Sequence, residues 1–141
     1  MLAITSRQDI ENQLEFVREL VRRLNDRGVP VLAGTDSGVE GLFPGKALHR
    51  ELGELVTAGL SPADALRTAT STPGRFLAEH VLRSPELGRI EEGFAADLIL
   101  LDADPMLEID NVSQLRGTMS RGMWHPLEAM ERARAGMRSD R

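Results

Sequence analysis

The chain has 141 residues, enough for one domain that buries roughly 68–70% of its unfolded surface. Apolar residues at 41%, with 13 glycines besides, match a soluble globular protein and exclude wholesale disorder. Seventeen Lys and Arg against 22 Asp and Glu leave a net charge of −5, which argues against nucleic acid or anionic lipid as a partner.

Cysteine is absent, so disulfides, thiolate metal sites and a cysteine nucleophile are excluded, and a reducing, cytoplasmic setting is expected. The opening "MLAI" is too short for a signal-peptide core, and no run approaches the ~18 apolar residues of a membrane span. The basic tail, with Arg132, Arg134, Arg138 and Arg141 among acidic and small residues, reads as a solvated helix end.

In chain order, Asp9 to Gly28 reads as an amphipathic helix. Ile10, Leu14, Val17, Leu20, Val21 and Leu24 recur at spacings of three and four, with Asp9 as N-cap and Gly28 as the stop. Val29 to Gly34 is too short for a helix and apolar on both faces, the pattern of a strand covered on both sides in a parallel sheet. A glycine-rich loop, "DSGVEGLFPGK", leads to a helix from about Lys46 to Ala58, with Leu48, Leu52, Leu55 and Val56 on its buried stripe and Gly59 ending it.

"SPADALRTAT" starts another helix, with Ser61 as cap, Pro62 at the first helical position and Asp64 in the capping-box place. A further short helix is expected at "STPGRFLAEH". From Leu87 the character changes. "LGRIEEGFAADLILLDADP" reads as a hairpin: a short strand, a Glu-Glu-Gly turn and an apolar strand, Asp97 to Leu101, closed by Asp104-Pro105. "LRGTMSRGMWH" adds strand with its own turn at Arg121-Gly122, before a last helix from about Pro126 to Ala135. No internal repeat or low-complexity tract is present.

The first candidate for chemistry is Asp36, in "VPVLAGTDSG". Strand ends on the carboxyl side of parallel α/β sheets are where catalysts and ligands gather, and a carboxylate there can bind a cation or accept a proton from water. The competing reading is an aspartate that accepts hydrogen bonds from its own turn. Thr35 and Ser37 are placed to orient Asp36 through their hydroxyls. His49, near the start of the next helix, either reaches substrate or packs on the surface. His80 and His125 are assigned to structure, Glu51 and Glu54 to a solvated helix face. The "GTDSG" turn is a weak anion cradle without GxGxxG or a phosphate-loop pattern.

Three stretches, "GVPVLAGTDSG", "LHRELGELVTAGLSPADALRTAT" and "LGRIEEGFAADLILLDADP", occur in an order and spacing that resembles the carboxyl-terminal part of the metal-dependent amidohydrolase superfamily. The resemblance is especially to its imidazolonepropionase-like and prolidase-like members. The resemblance covers roughly Gly28 to Pro105. It implies an α/β fold, the carboxyl-terminal fragment of a (β/α)8 TIM barrel plus strands of a small composite β-sandwich. The terminal barrel portion would fall at 1–86, half of the sandwich at 87–125, and a terminal helix and tail at 126–141.

The resemblance further implies that Asp36 ends the eighth strand, binds or faces a divalent metal (zinc by family habit) and acts as general base for the water that attacks a C–N bond. The substrate class would be a small amide, a cyclic amide or a dipeptide-like molecule. "GFAADLILLD" would be a packing motif.

The family's other ligands, a His-x-His pair on the first strand, a lysine on the fourth and histidines on the fifth and sixth, have no counterpart among His49, His80 and His125. A complete barrel also needs about 200 residues or more. The chain is therefore expected to be a partial barrel, without stoichiometric metal or turnover when alone. An exposed barrel strand has two unpaired edges. Homo-oligomerisation, through strand pairing around Val31 to Ala33 or exchanged sandwich strands, or association with a complementing barrel fragment, is expected. The alternative is a noncatalytic, self-associating α/β module or a subunit of a split enzyme.

Overall fold

The computed structural model describes residues 6–38, 45–81 and 86–139, the last three by their backbone alone. Residues 39–44 of the glycine-rich loop and the end of the basic tail lie outside the described residues. Two compact units divide the chain, Met1–Ala69 and Thr70–Arg141.

The first unit contains α1 (Arg7–Asp26), α2 (Lys46–Thr57) and α3 (Pro62–Thr68). The N-cap of α1 is Ser6, not Asp9. The Ser6 hydroxyl accepts from the Asp9 amide at 3.2 Å and donates to the Asp9 carboxylate at 2.9 Å, so Asp9 is the acidic partner three residues inside the helix. The stop at Gly28 is as expected. With φ +69, it lets its own amide reach Asn25 and the Val29 amide reach Leu24 at 3.0 Å, which satisfies two end carbonyls of the helix. The same pair of bonds closes α2, from Gly59 to Val56 and from Leu60 to Leu55.

Ser61 caps α3 as its sequence implies. It accepts from the Asp64 amide at 3.1 Å and donates to the Asp64 carboxylate at 2.6 Å. The Ser61 hydroxyl, and after it the Arg67 guanidinium, hold Asp64 below the usual carboxylate range against a desolvation that raises it. A depressed carboxylate contributes stability above its unfolded pKa and loses it as pH falls through the folded value, so this cap weakens only in acid. Ser61→Ala is expected to cost about 1 kcal/mol at neutral pH, with a smaller loss below the carboxylate range, read from urea midpoints at the two pH values.

The core of this unit is α2 against α3: Leu52, Leu55, Ala58, Leu60 and Ala65 are buried, with Thr68 satisfied by a bond from its hydroxyl to the Ala65 carbonyl. Helix α1 buries none of its residues. Arg18 joins it to Glu54 of α2 by an exposed ion pair, a contact worth about 0–1 kcal/mol.

Val29 to Gly34 is extended but is not a strand, and it is not covered on both faces, since Val29 and Leu32 are 44% and 41% exposed. A strand is defined by its ladder, and among the described residues this segment meets helices and no parallel neighbour. The Ala33 amide donates instead to the Thr68 carbonyl at the end of α3, at 3.0 Å.

The second unit opens with α4 (Ser71–His80) and is built on β1 (Leu98–Leu101), β2 (Leu115–Ser120) and β3 (Met123–Pro126), with α5 (Leu127–Ser139) after them. The sheet is antiparallel, in the order β1-β2-β3. Leu98 faces Met119, and Met119 faces Trp124, so these three share one side. The partner of β1 is downstream, not the expected "LGRI". Glu86 and Ala95 share a single backbone bond, and Glu91 to Phe94 forms the turn between them. One bond does not make a ladder.

Between β1 and β2, a 3-10 turn (Ile109–Ser113) buries Ile109 and Val112. The β2–β3 hairpin turns at Arg121 and Gly122, with φ +49 and +79, as a two-residue loop of the kind that matches strand twist. Asp97 stabilises it by accepting from the Arg121 amide at 2.7 Å. Because arginine is strained at positive φ, Arg121→Asn is expected to raise stability by about 0.5 kcal/mol, seen as a higher melting temperature. Among the described residues no helix is long and apolar enough to cross a membrane.

Candidate active site

Asp36 follows the extended segment directly and has φ +47, a left-handed conformation that aspartate tolerates better than most residues. Its side chain is exposed and has no hydrogen bond or ion pair among the described residues. Thr35 and Ser37 do not orient it here. Their hydroxyls bond each other at 2.6 Å, across the top of the turn. That bond spans Asp36, whose carboxylate takes no part in it.

His49 is exposed on α2 and has no hydrogen bond or ion pair linking it to Asp36. His80 tilts against Phe76 with ring centroids 4.9 Å apart, and His125 pairs with Thr118 in the sheet. Both belong to the second unit and to its structure.

Glu51 is the residue that the periodicity of α2 misassigned. It is not on a solvated face. One carboxylate oxygen accepts from the Gly34 amide at 2.8 Å, and the other is buried with no donor among the described residues. A signal was available. Positions 47, 51 and 55 form one row along a helix, and Ala47 and Leu55 are both buried. Glu54, by contrast, does face solvent, paired with Arg18.

The described residues do not by themselves fit a metal. A structural or catalytic cation takes at least three protein donors, and no group of three His, Cys, Asp or Glu side chains is gathered among them. Asp36 supplies one donor on its own. What the arrangement does provide is a carboxylate at a fixed place in the chain: the extended segment before it is tied on one side to α3 through Ala33 and on the other to α2 through Gly34.

The amidohydrolase family model matches residues 4–125. Over 84 residues, 56% of the chain, the sequence is 38% identical to an imidazolonepropionase of Anaeromyxobacter sp. (strain K), and over 101 residues, 64% of the chain, it is 37% identical to a putative aminohydrolase of Methanothermobacter thermautotrophicus. The matched parts are 18% and 23% of those proteins, so the chain spans about a fifth of the length of these curated relatives.

Among solved structures, an Xaa-Pro dipeptidase with bound methionine is similar with a TM-score of 0.66 and 25% identity, covering 78% of this chain and 25% of that one. Molinate hydrolase shows the same likeness of fold, with a TM-score of 0.64 and 23% identity, covering 86% of this chain and 27% of that one. The α/β architecture with its small antiparallel sheet thus matches parts of amidohydrolase barrel structures. With the family model spanning most of its length, the chain belongs to the amidohydrolase family.

Proposed function

We propose that this chain forms the terminal barrel portion and part of the flanking sandwich of a metal-dependent amidohydrolase that cleaves C–N bonds in small amides, cyclic amides or dipeptide-like substrates. In this reading Asp36 is a metal ligand and the general base. Its carboxylate accepts a proton from the water that attacks the scissile carbonyl and passes it to the nitrogen, which becomes an amine as the C–N bond breaks. The histidines, the lysine and the divalent cation belong to the complete enzyme. His49 is the substrate-contacting residue, and Thr35 and Ser37 would orient Asp36 through their hydroxyls in the complete site.

The observation that supports this reading best is the placement of Asp36 immediately after an apolar segment held between two helices, within the stretch that the family model matches. The imidazolonepropionase and dipeptidase likenesses suggest the C–N substrate classes.

The test is co-expression of the chain with the Anaeromyxobacter imidazolonepropionase shortened by its matched region, followed by metal analysis and assays on amides and dipeptides. The chain alone is expected to give no stoichiometric metal and no turnover. The assembly is expected to turn over, and Asp36→Asn to lower kcat by about 10²–10⁴-fold. An assembly whose turnover survives Asp36→Asn sinks the proposed role.

A second reading, a noncatalytic self-associating module, rests on the apolar stripe of α1, where Ile10, Leu14 and Val17 are 54%, 40% and 50% exposed. It requires the chain to sediment as an oligomer at micromolar concentration, and a monomer there rules it out.

A further inference from the structure

An extended segment needs partners for its backbone amides, and in a sheet the neighbouring strands supply them. Here, in the unit Met1–Ala69, successive amides of the segment before Asp36 point to opposite sides and find different partners. The Ala33 amide meets the last carbonyl of α3, and the Gly34 amide meets a side chain, the Glu51 carboxylate of α2, at 2.8 Å.

Bonds to an ionised acceptor are roughly twice as strong as those between neutral groups. The choice of acceptor is also costly. The second oxygen of Glu51 is buried with no donor among the described residues, an arrangement that a purely stabilising residue would avoid. Glu51 lies half-buried in the row of Ala47 and Leu55, with one oxygen withdrawn from solvent. The return on that cost is local: the contact is two residues from Asp36.

We propose that Glu51 is a positioning residue, whose carboxylate clamps the Gly34 amide and thereby fixes the left-handed turn that presents Asp36. This rests on the reading of Asp36 as the working carboxylate, but the clamp itself is observable without activity. Glu51 stands in for the edge of a neighbouring strand on the α2 side. The Thr35–Ser37 hydroxyl bond closes the turn on itself and ties it to no other element, so its placement is inherited from the segment before it. With the clamp released, Ala33 remains tied and the rotation of Gly34 is free, and Asp36 leaves its positive φ.

The full chain, labelled with ¹⁵N and ¹³C, is compared with Glu51→Gln and Glu51→Ala by NMR. In the wild type a scalar coupling across the hydrogen bond is expected between the Gly34 nitrogen and the Glu51 carboxylate carbon. Glutamine keeps an acceptor oxygen, so Glu51→Gln is expected to retain slow Gly34 exchange and the φ-dependent coupling of Asp36. Glu51→Ala is expected to speed Gly34 exchange roughly tenfold and to shift the Asp36 coupling towards that of a flexible chain.

A merely structural Glu51 lowers the melting temperature in Glu51→Ala while leaving the Asp36 coupling in place, and that result overturns the proposal. So does equal Gly34 exchange in all three proteins, or its loss in Glu51→Gln. If Glu51→Ala does not fold, the cross-bond coupling in the wild type and its persistence in Glu51→Gln decide the matter. Absence of catalysis in the co-expressed assembly, with the Gly34 and Asp36 signals as expected, removes the function proposed for Asp36 and leaves the clamp standing.

Discussion

Gly88→Ala is expected to destabilise the Thr70–Arg141 unit by about 2–5 kcal/mol, enough to leave much of it unfolded at room temperature. Two independent effects add. Gly88 has φ +79, where an L side chain is strained by about 1–2 kcal/mol. A Cβ there would also lie 2.2 Å from the Thr70 carbonyl oxygen and 2.7 Å from its carbon, backbone atoms at the start of α4 that have no rotamer to escape through. The reverse contact is as tight, because a Cβ on Gly74 of α4 would meet the Leu87 oxygen at 2.2 Å.

These two glycines let α4 and the 86–88 segment interlock, backbone on backbone. Trp124 is the only tryptophan and lies over Gly117 in the sheet of this unit, so its fluorescence reports the unit's unfolding. The expected result is a large fall in the urea midpoint followed by Trp124. A Gly88→Ala protein with the wild-type midpoint shows that the interlock yields without cost.

That interlock was not legible in the sequence. Composition changes at Leu87, which suggested a border there, but a border in space depends on which backbones touch. By contrast, features whose physics is local were readable. Gly28 and Gly59 end helices because the required φ is positive, Ser61 and Asp64 cap each other, and the Arg121-Gly122 turn closes a hairpin. Even the miss at Asp9 was local, since Ser6 and Asp9 make the same pair as Ser61 and Asp64 and only the member named as cap was wrong.

Strands were read less well, for a physical reason. "VPVLAG" and "LGRI" have the apolar pattern of strands, yet a strand exists only through a partner that sequence pattern does not supply. The Ala33 amide found the Thr68 carbonyl of α3, and the one backbone bond near "LGRI" runs from Ala95 to Glu86, just before it. The candidate site shows the same division. Asp36 stands out in the sequence as an acid after an apolar run. Glu51 does not, because its partner is a backbone amide 17 residues earlier and its burial follows from α2 packing, not from its own character.

The packing that orients Glu51 leads to the other large effect. Leu52→Ala is expected to destabilise the Met1–Ala69 unit by about 2–5 kcal/mol. Leu52 is 4% exposed, and the buried residues of its core are Leu55, Leu60 and the small side chains of Ala47, Ala58 and Ala65. The cost of such a truncation depends on whether neighbours can collapse into the space, and alanines have no side chain to move into it. The expected value is therefore in the upper half of the range.

Leu48→Ala on the same helix is the control. Leu48 is 36% exposed, and its loss is expected to cost no more than about 1 kcal/mol, so the helix propensity gained by both substitutions cancels in the comparison. Far-ultraviolet circular dichroism reports the loss of α1, α2 and α3 together with the helices of the other unit, and Trp124 fluorescence, which follows that other unit, separates the two. Equal midpoints for the two variants would mean that α2 does not organise this core. A selective loss in Leu52→Ala, with Gly34 exchange rising in step with partial unfolding, would tie the presentation of Asp36 to the burial of an apolar face on the helix behind it.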